Sequence, residues 1–219
     1  MNRSRCRPLP ASRAGLAGLM LSAALALGGC AALGLGGGPP LEAFELRAPQ
    51  TVPVARRSLA RDLVVEVPEA GAALDIDRIL VRPNPFQAQY LPGARWTAPA
   101  PAMLQTLMLR SLEEAGAFRF VGRRPLGPGA DFALVSEVTD FQAELREGQP
   151  GALIRVRMTA RLVREADASV LASRSFTAMA ESGSLETLTV VQAFNAATDA
   201  VMAELSGWVL GRLGAAPTG

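Results

Sequence analysis

The stretch "LIRVRMTARLV", residues 153–163, decides the fold. Ile154, Val156, Met158, Ala160 and Leu162 share one parity, and Arg155, Arg157, Thr159 and Arg161 share the other. Successive strand side chains point to opposite faces, so this period of two predicts a strand with one buried face and one wet face. The wet face is rich in arginine. Exposed strand faces are commonly charged, so it reads as a solvated face with glutamate partners in preference to a surface for an anionic lipid head group or a protein partner.

Working outward, Phe132 to Leu145 is long and mostly apolar, and Val170 to Ala180 follows the turn segment "EADAS". Three such runs with short connections predict an antiparallel meander. Beyond them, Val191, Phe194, Thr198, Val201, Leu205 and Trp208 recur at steps of three and four, which predicts a helix over 185–212 with a core-facing stripe. On the N-terminal side, "TAPAPAMLQTLMLRSLEEAG" carries Leu104, Leu107, Met108, Ser111, Leu112 and Ala115 on one helical face. Pro99 or Pro101 suits its first turn, Thr97 is a candidate cap, and Gly116 is a natural stop.

Earlier still, "LVVEVP" (63–68) reads as a strand, as does 78–82, and 117–121 follows the first helix. Residues 41–49 suggest a first edge strand from the alternation of Phe44 and Leu46. Between Pro83 and Trp96, three prolines break the chain into a loop or short hairpin carrying Phe86, Tyr90 and Trp96. Those three aromatics either pack on their own sheet or form a surface for a partner or a lipid. The expected fold is an α+β two-layer sandwich. A twisted, mostly antiparallel sheet is covered on one face by two long helices.

The N-terminus has a different plan. Arg3, Arg5, Arg7 and Arg13 precede the apolar run Ala14 to Leu27, which is short for a bilayer span of about 20 residues and fits a secretory signal. It ends on Leu27-Gly28-Gly29-Cys30. Cys30 admits three readings: half of a disulfide with Cys6, a small residue closing an apolar helix, or a lipid acceptor. Cys6 lies in the segment due for removal, which argues against the disulfide. The motif resembles the lipobox of bacterial lipoproteins, in which small residues let a peptidase cut before the modified cysteine. That resemblance implies a signal peptide over 1–29 and a diacylglyceryl thioether with an N-acyl chain (such as palmitate) on Cys30. Several chains anchor firmly where one does not, since each buried methylene contributes about 0.8 kcal/mol. Ala31 is not the aspartate of inner-membrane retention, which points to the outer membrane, periplasmic face.

Processing changes the charge. All 20 acidic residues lie beyond Cys30 and 18 of the 22 arginines remain, so the net charge moves from +2 to −2. A basic precursor therefore implies no nucleic-acid partner. The chain has no histidine, and acylation of Cys30 leaves no thiol. The usual general base, the Ser-His-Asp arrangement and the common zinc ligands are thus missing, and no catalytic, cofactor or metal residue is assigned. Asp75 and Asp77 read as solvated acids at a strand start, and "GLGGG" lacks the ending of a phosphate loop. Residues 30–43 read as a lipidated tether, 44–212 as the domain and 213–219 as a disordered tail.

The order of features resembles the ABC-type transport auxiliary lipoproteins (the paraquat-inducible protein C-like family). The resemblance rests on the lipobox, "FELRAP", "LDIDRILVRP" before an aromatic loop, the Trp-before-helix segment "RWTAPAPAMLQTLMLRSLEEAGAFRFV", the strand "DFALVSEVTDFQAEL" and the closing helix "VVQAFNAATDAVMAELSGWV". It covers about 44–210. The family often has paired tyrosines where this chain has "QAQYLPG", with Tyr90 alone. The resemblance implies a non-enzymatic accessory or docking subunit of an intermembrane lipid transport system. Its partners would be an MCE-domain periplasmic protein and an ABC permease with its ATPase, and some members form a homo-oligomeric ring. Two other classes remain: an outer-membrane assembly lipoprotein partnering a β-barrel protein, and a periplasmic hydrolase, which would need a nucleophile and base that the sequence does not display.

Overall fold

The structure, a computed structural model, describes residues 40–216. The signal peptide over 1–29, the lipidation site Cys30 and most of the 30–43 tether lie outside the described residues, as does the end of the tail. Three long strands dominate: β8 (Phe132–Leu145), β9 (Ala152–Arg164) and β10 (Ser169–Glu181). They form the expected antiparallel meander, with Leu145 opposite Ala152 and Phe176 opposite Met158. A bulge at Thr139, between the paired residues Val138 and Asp140, and another at Leu171 shift the register.

The sheet continues on the other side of β8 with parallel strands. β2 (Leu59–Val65), β3 (Glu69–Ala70) and β4 (Leu80–Arg82) lie in succession along the same edge of β8. β5 (Gln89–Tyr90) folds back on β4, and β7 (Phe118–Gly122) lies parallel to β2. A parallel β2–β7 pair needs a crossover, and the first helix supplies it. A separate short parallel ladder joins β1 (Glu42–Phe44) to β6 (Ala94–Trp96). The end of the expected tether is therefore strand: Glu42 donates to the Gly93 carbonyl at 2.8 Å, and Thr97 donates to that of Phe44 at 2.9 Å.

Two helices, α1 (Ala100–Glu114) and α2 (Thr187–Arg212), cover one face. Pro99 takes the cap position of α1 without a side-chain bond, so Thr97 is not the cap. Thr97 lies before the first turn and its backbone is committed to β1. Gly116 ends α1 at a φ of 67°, where an L side chain is strained, and its N–H bonds the Glu113 carbonyl at 3.1 Å. Buried Gln105 of α1 donates to the Val65 carbonyl at 2.9 Å, tying helix to sheet.

The core lies between the layers. The apolar parity of β9 is buried, as are Leu104, Met108 and Leu112 of α1 and Phe194, Val201, Met202 and Leu205 of α2. Trp96, Phe141 and Phe194 meet there. Trp96 packs edge-on to Phe194 at 5.3 Å between centroids, and Phe141 lies 4.9 Å from Phe194. A second edge-on pair joins Phe176 of β10 to Trp208 of α2 at 5.6 Å. The start of the expected disordered tail is ordered: Ala215 is buried and donates to the Leu210 carbonyl at 2.8 Å, and Arg57 holds the Gly214 carbonyl at 2.9 Å. Among the described residues no helix is long and apolar enough to cross a membrane.

Candidate functional site

The aromatic segment between β4 and β6 places its three rings in three different environments. Pro83 and Pro85 stiffen the tip. Asn84 fixes it further: its Oδ1 accepts the Phe86 N–H at 3.0 Å and its Nδ2 donates to Gln87 Oε1 at 3.2 Å. This side-chain turn holds Phe86 outward, 99% exposed. Tyr90 is half-buried on β5, with the Arg78 guanidinium 5.5 Å over its ring. Trp96 is 1% exposed. It is a core residue and not part of a surface, because β6 turns its indole between Phe141 and Phe194. Of the sequence-derived surface, only Phe86 and the edge of Tyr90 are available to a partner.

Tyr90 borders an apolar groove of about 270 Å³, whose walls include Leu91, Pro92, Leu145, Leu185 and Val190. Leu185 and neighbouring Leu188 are about half exposed at the start of α2. The Asn84–Phe86 tip and the groove, with Leu185 in its wall, belong to the β4–β5 end of the fold, and β1 runs beside Gly93 through Glu42.

The open face of the sheet carries the arginine parity. Arg155 is not free there. Its Nε and a terminal nitrogen clasp Glu144 across the β8–β9 ladder at 2.8 and 3.0 Å. Those bonds hold the Glu144 carboxyl below the ordinary glutamate range and raise Arg155 above its own. Arg157 and Arg161 are exposed and make no ion pair among the described residues. One of the three arginines thus has the expected glutamate partner.

Beside Glu144 the structure shows a cleft that sequence reasoning missed, about 510 Å³, lined in part by Arg82, Asp140, Gln142, Glu144, Leu145 and Arg155. Gln142 is 4% exposed, and its Nε2 donates to Asp140 Oδ1 and Glu144 Oε1, both at 3.1 Å. Carboxylates only accept, so these bonds fix the amide orientation. They leave the Gln142 Oε1 buried without a hydrogen-bond partner among the described residues. The visible signal in the sequence was the polar alternation Asp140, Gln142, Glu144 within an otherwise apolar run.

Of the two acids read as solvated, Asp77 has an ion partner: it bonds Arg95 at 3.0 Å, while its backbone carbonyl accepts the Trp96 N–H at 2.8 Å. These two bonds organise the entry to β6. Among the described residues no group of three or more His, Cys, Asp or Glu side chains is arranged to hold a metal.

Comparison with known proteins fits this layout. The family described as the ABC-type transport auxiliary lipoprotein component matches residues 44–206. The crystal structure of XCC0632 from Xanthomonas campestris, of the DUF330 family, is 31% identical with a TM-score of 0.72, covering 79% of this chain and 97% of that one. Another solved structure, of an uncharacterized protein, shares the fold at a TM-score of 0.61 and 15% identity, covering 78% of this chain and 99% of that one. A Bradyrhizobium diazoefficiens protein is 28% identical over 184 residues; the match takes in 80% of this chain and 47% of that protein, so the chain spans about half the length of this curated relative. With its family match running from the first strand into the closing helix, the chain belongs to the ABC-type transport auxiliary lipoprotein component family.

Proposed function

We propose that this chain is a non-enzymatic docking subunit of an MCE-type lipid transport system, anchored through lipid on Cys30 at the periplasmic face of the outer membrane. Its family membership supports an auxiliary role beside an ABC transporter. The observation that carries the docking role is Phe86, an apolar ring at full exposure on a proline-bounded, hydrogen-bonded tip. A flexible loop would lose backbone entropy on binding, whereas the hydrogen-bonded backbone of this tip has already lost it. Aromatic anchors of this kind dominate protein interfaces when a pocket receives them.

In this reading the anchor keeps the domain near the membrane, and the Phe86 end engages the periplasm-spanning MCE protein of the permease–ATPase complex. A ring of copies would present several such tips at once and raise the avidity of weak single contacts. The test is crosslinking and pulldown from membranes with wild type, Cys30→Ala and Phe86→Ala. Recovery of an MCE protein with wild type, reduced in both variants, is expected. Recovery of a β-barrel protein instead would replace this reading with that of an assembly lipoprotein. Recovery of neither would refute the docking role.

A further inference from the structure

We propose that Met179 is a reversible oxidation site, at which a peroxide converts the thioether to one sulfoxide epimer whose new oxygen is held by Arg155. The Met179 side chain lies on the open face of β10 and is 55% exposed. Met103, Met108, Met158 and Met202 are all buried in the core. Exposure decides which thioether an oxidant reaches first, so among the described residues Met179 is the one open to attack.

Arg155 gives that exposed sulfur a fixed surrounding. It is the ladder partner of Met179, and its Nη1 donates to the Met179 Sδ at 3.4 Å. The same guanidinium is held from the other side, because its Nε and Nη2 clasp Glu144 at 2.8 and 3.0 Å. One planar group thus joins Glu144 of β8, Arg155 of β9 and Met179 of β10. A thioether sulfur is a weak acceptor with two lone pairs, and oxygen added to one or the other gives opposite epimers. The Arg155 N–H takes one lone pair and leaves the other to solvent. A clamped donor therefore selects the side on which oxygen arrives.

In the step, the outward lone pair attacks one oxygen of hydrogen peroxide. The S–O bond forms as the O–O bond breaks, so the sulfur is oxidised by two electrons and the peroxide is reduced. The departing hydroxide takes the proton left on the transferred oxygen and leaves as water. A weak acceptor has become a strong one. A turn about the flexible Cγ–Sδ bond brings the new oxygen to Nη1, the terminal nitrogen that Glu144 does not use. A charge-assisted hydrogen bond then replaces the sulfur contact and fastens β10 to the β8–β9 clasp. A reductase with a dithiol reverses the change: the oxygen leaves as water and the dithiol closes to a disulfide. The inference stands apart from the docking role, because oxidation of Met179 and recovery of a partner protein are separate readouts.

The full chain, purified in a maltoside detergent, is treated with hydrogen peroxide while peptide mass spectrometry follows each methionine. Met179 should oxidise about tenfold faster than any of the four buried methionines, or faster still. The product is then given to two methionine sulfoxide reductases, one specific for each epimer. One of them should restore most of the Met179 and the other little. At a dose that modifies Met179 alone, the oxidised protein should melt about 1–3 °C above the reduced one. In Arg155→Gln the two reductases should restore about equal shares, and oxidation should bring no rise in melting temperature. Oxidation of Met179 at the rate of the buried methionines would overturn the site. Equal shares in wild type, or the same bias in a folded Arg155→Gln, would overturn the orientation by Arg155. A melting temperature that does not rise in wild type would overturn the capture of the oxygen. The wild-type readouts decide the proposal even if Arg155→Gln, which also loses the Glu144 clasp, folds poorly.

Discussion

Phe194→Ala tests whether the aromatic cluster closes the sandwich. Phe194 is fully buried on α2 and touches both Trp96, from the segment ahead of α1, and Phe141 of β8. Burying a phenylalanine side chain contributes about 1.5–3 kcal/mol. Each of its two aromatic contacts adds about 0.5–1.5 kcal/mol. These contributions overlap, because the remaining Trp96–Phe141 pair, 5.8 Å between centroids, partly closes over the gap. Measured Phe→Ala changes in cores cost about 3–5 kcal/mol with the cavity included, so about 4 kcal/mol is expected here. For a domain of this size that lowers Tm by roughly 8–16 °C. Urea denaturation followed by circular dichroism, with Phe86→Ala as control, makes the comparison. The control removes an equally large ring that buries nothing and should change stability by less than about 0.5 kcal/mol. A loss below about 1.5 kcal/mol for Phe194→Ala, or one equal to the control, would refute the cluster as the joint between layers.

Gly151→Ala should cost about 1–3 kcal/mol, because the added methyl carbon would fall 1.8 Å from the Ser182 carbonyl oxygen and cannot be relieved by a side-chain rotation; thermal melts read it. Glu144→Gln should lose about 1 kcal/mol at neutral pH, as befits a partly buried surface pair. Since Arg155 lowers the Glu144 pKa, that contribution is present above the unfolded carboxylate range and disappears as pH falls through the folded value, so wild type and variant should converge in acid. Asp199→Asn should do the opposite. Burial raises the Asp199 pKa, the charged form is disfavoured in the fold, and the variant should gain about 0.5 kcal/mol at pH 7 but nothing once pH is low enough to protonate the aspartate in both states. A pH series of urea midpoints distinguishes both signs.

The meander and both helices were legible because their periodicities are long. β8 runs over the expected 132–145, while β9 and β10 each extend one residue further at both ends. The parallel attachment of β2, β3 and β4 was not legible, since their partner β8 lies far along the chain and the two- and three-residue β3 and β4 carry no period. Trp96 shows the limit for sites. A tryptophan after prolines reads equally as an interface anchor or as core, and only the turn of β6 decides between them. Gln142 was hidden for a related reason: period-two reasoning assigns it to the wet face, yet its flanking acids and the clasped Arg155 close over it.

The tiling of short strands along one edge of β8 has a consequence for how the chain assembles. Glu69 and Val81 find their ladder partners, Glu137 and Ala143, more than sixty residues later. A chain delivered N-terminus first therefore exposes β3 and β4 before the strand that completes them exists, with only the two-residue β5 as an interim neighbour for β4. Closing such long loops costs entropy before any ladder bond repays it, so the local hairpins of β8, β9 and β10 must form early and act as the template. Vectorial export would leave the first third of the domain waiting for its middle, and a periplasmic holdase would find its client segment there.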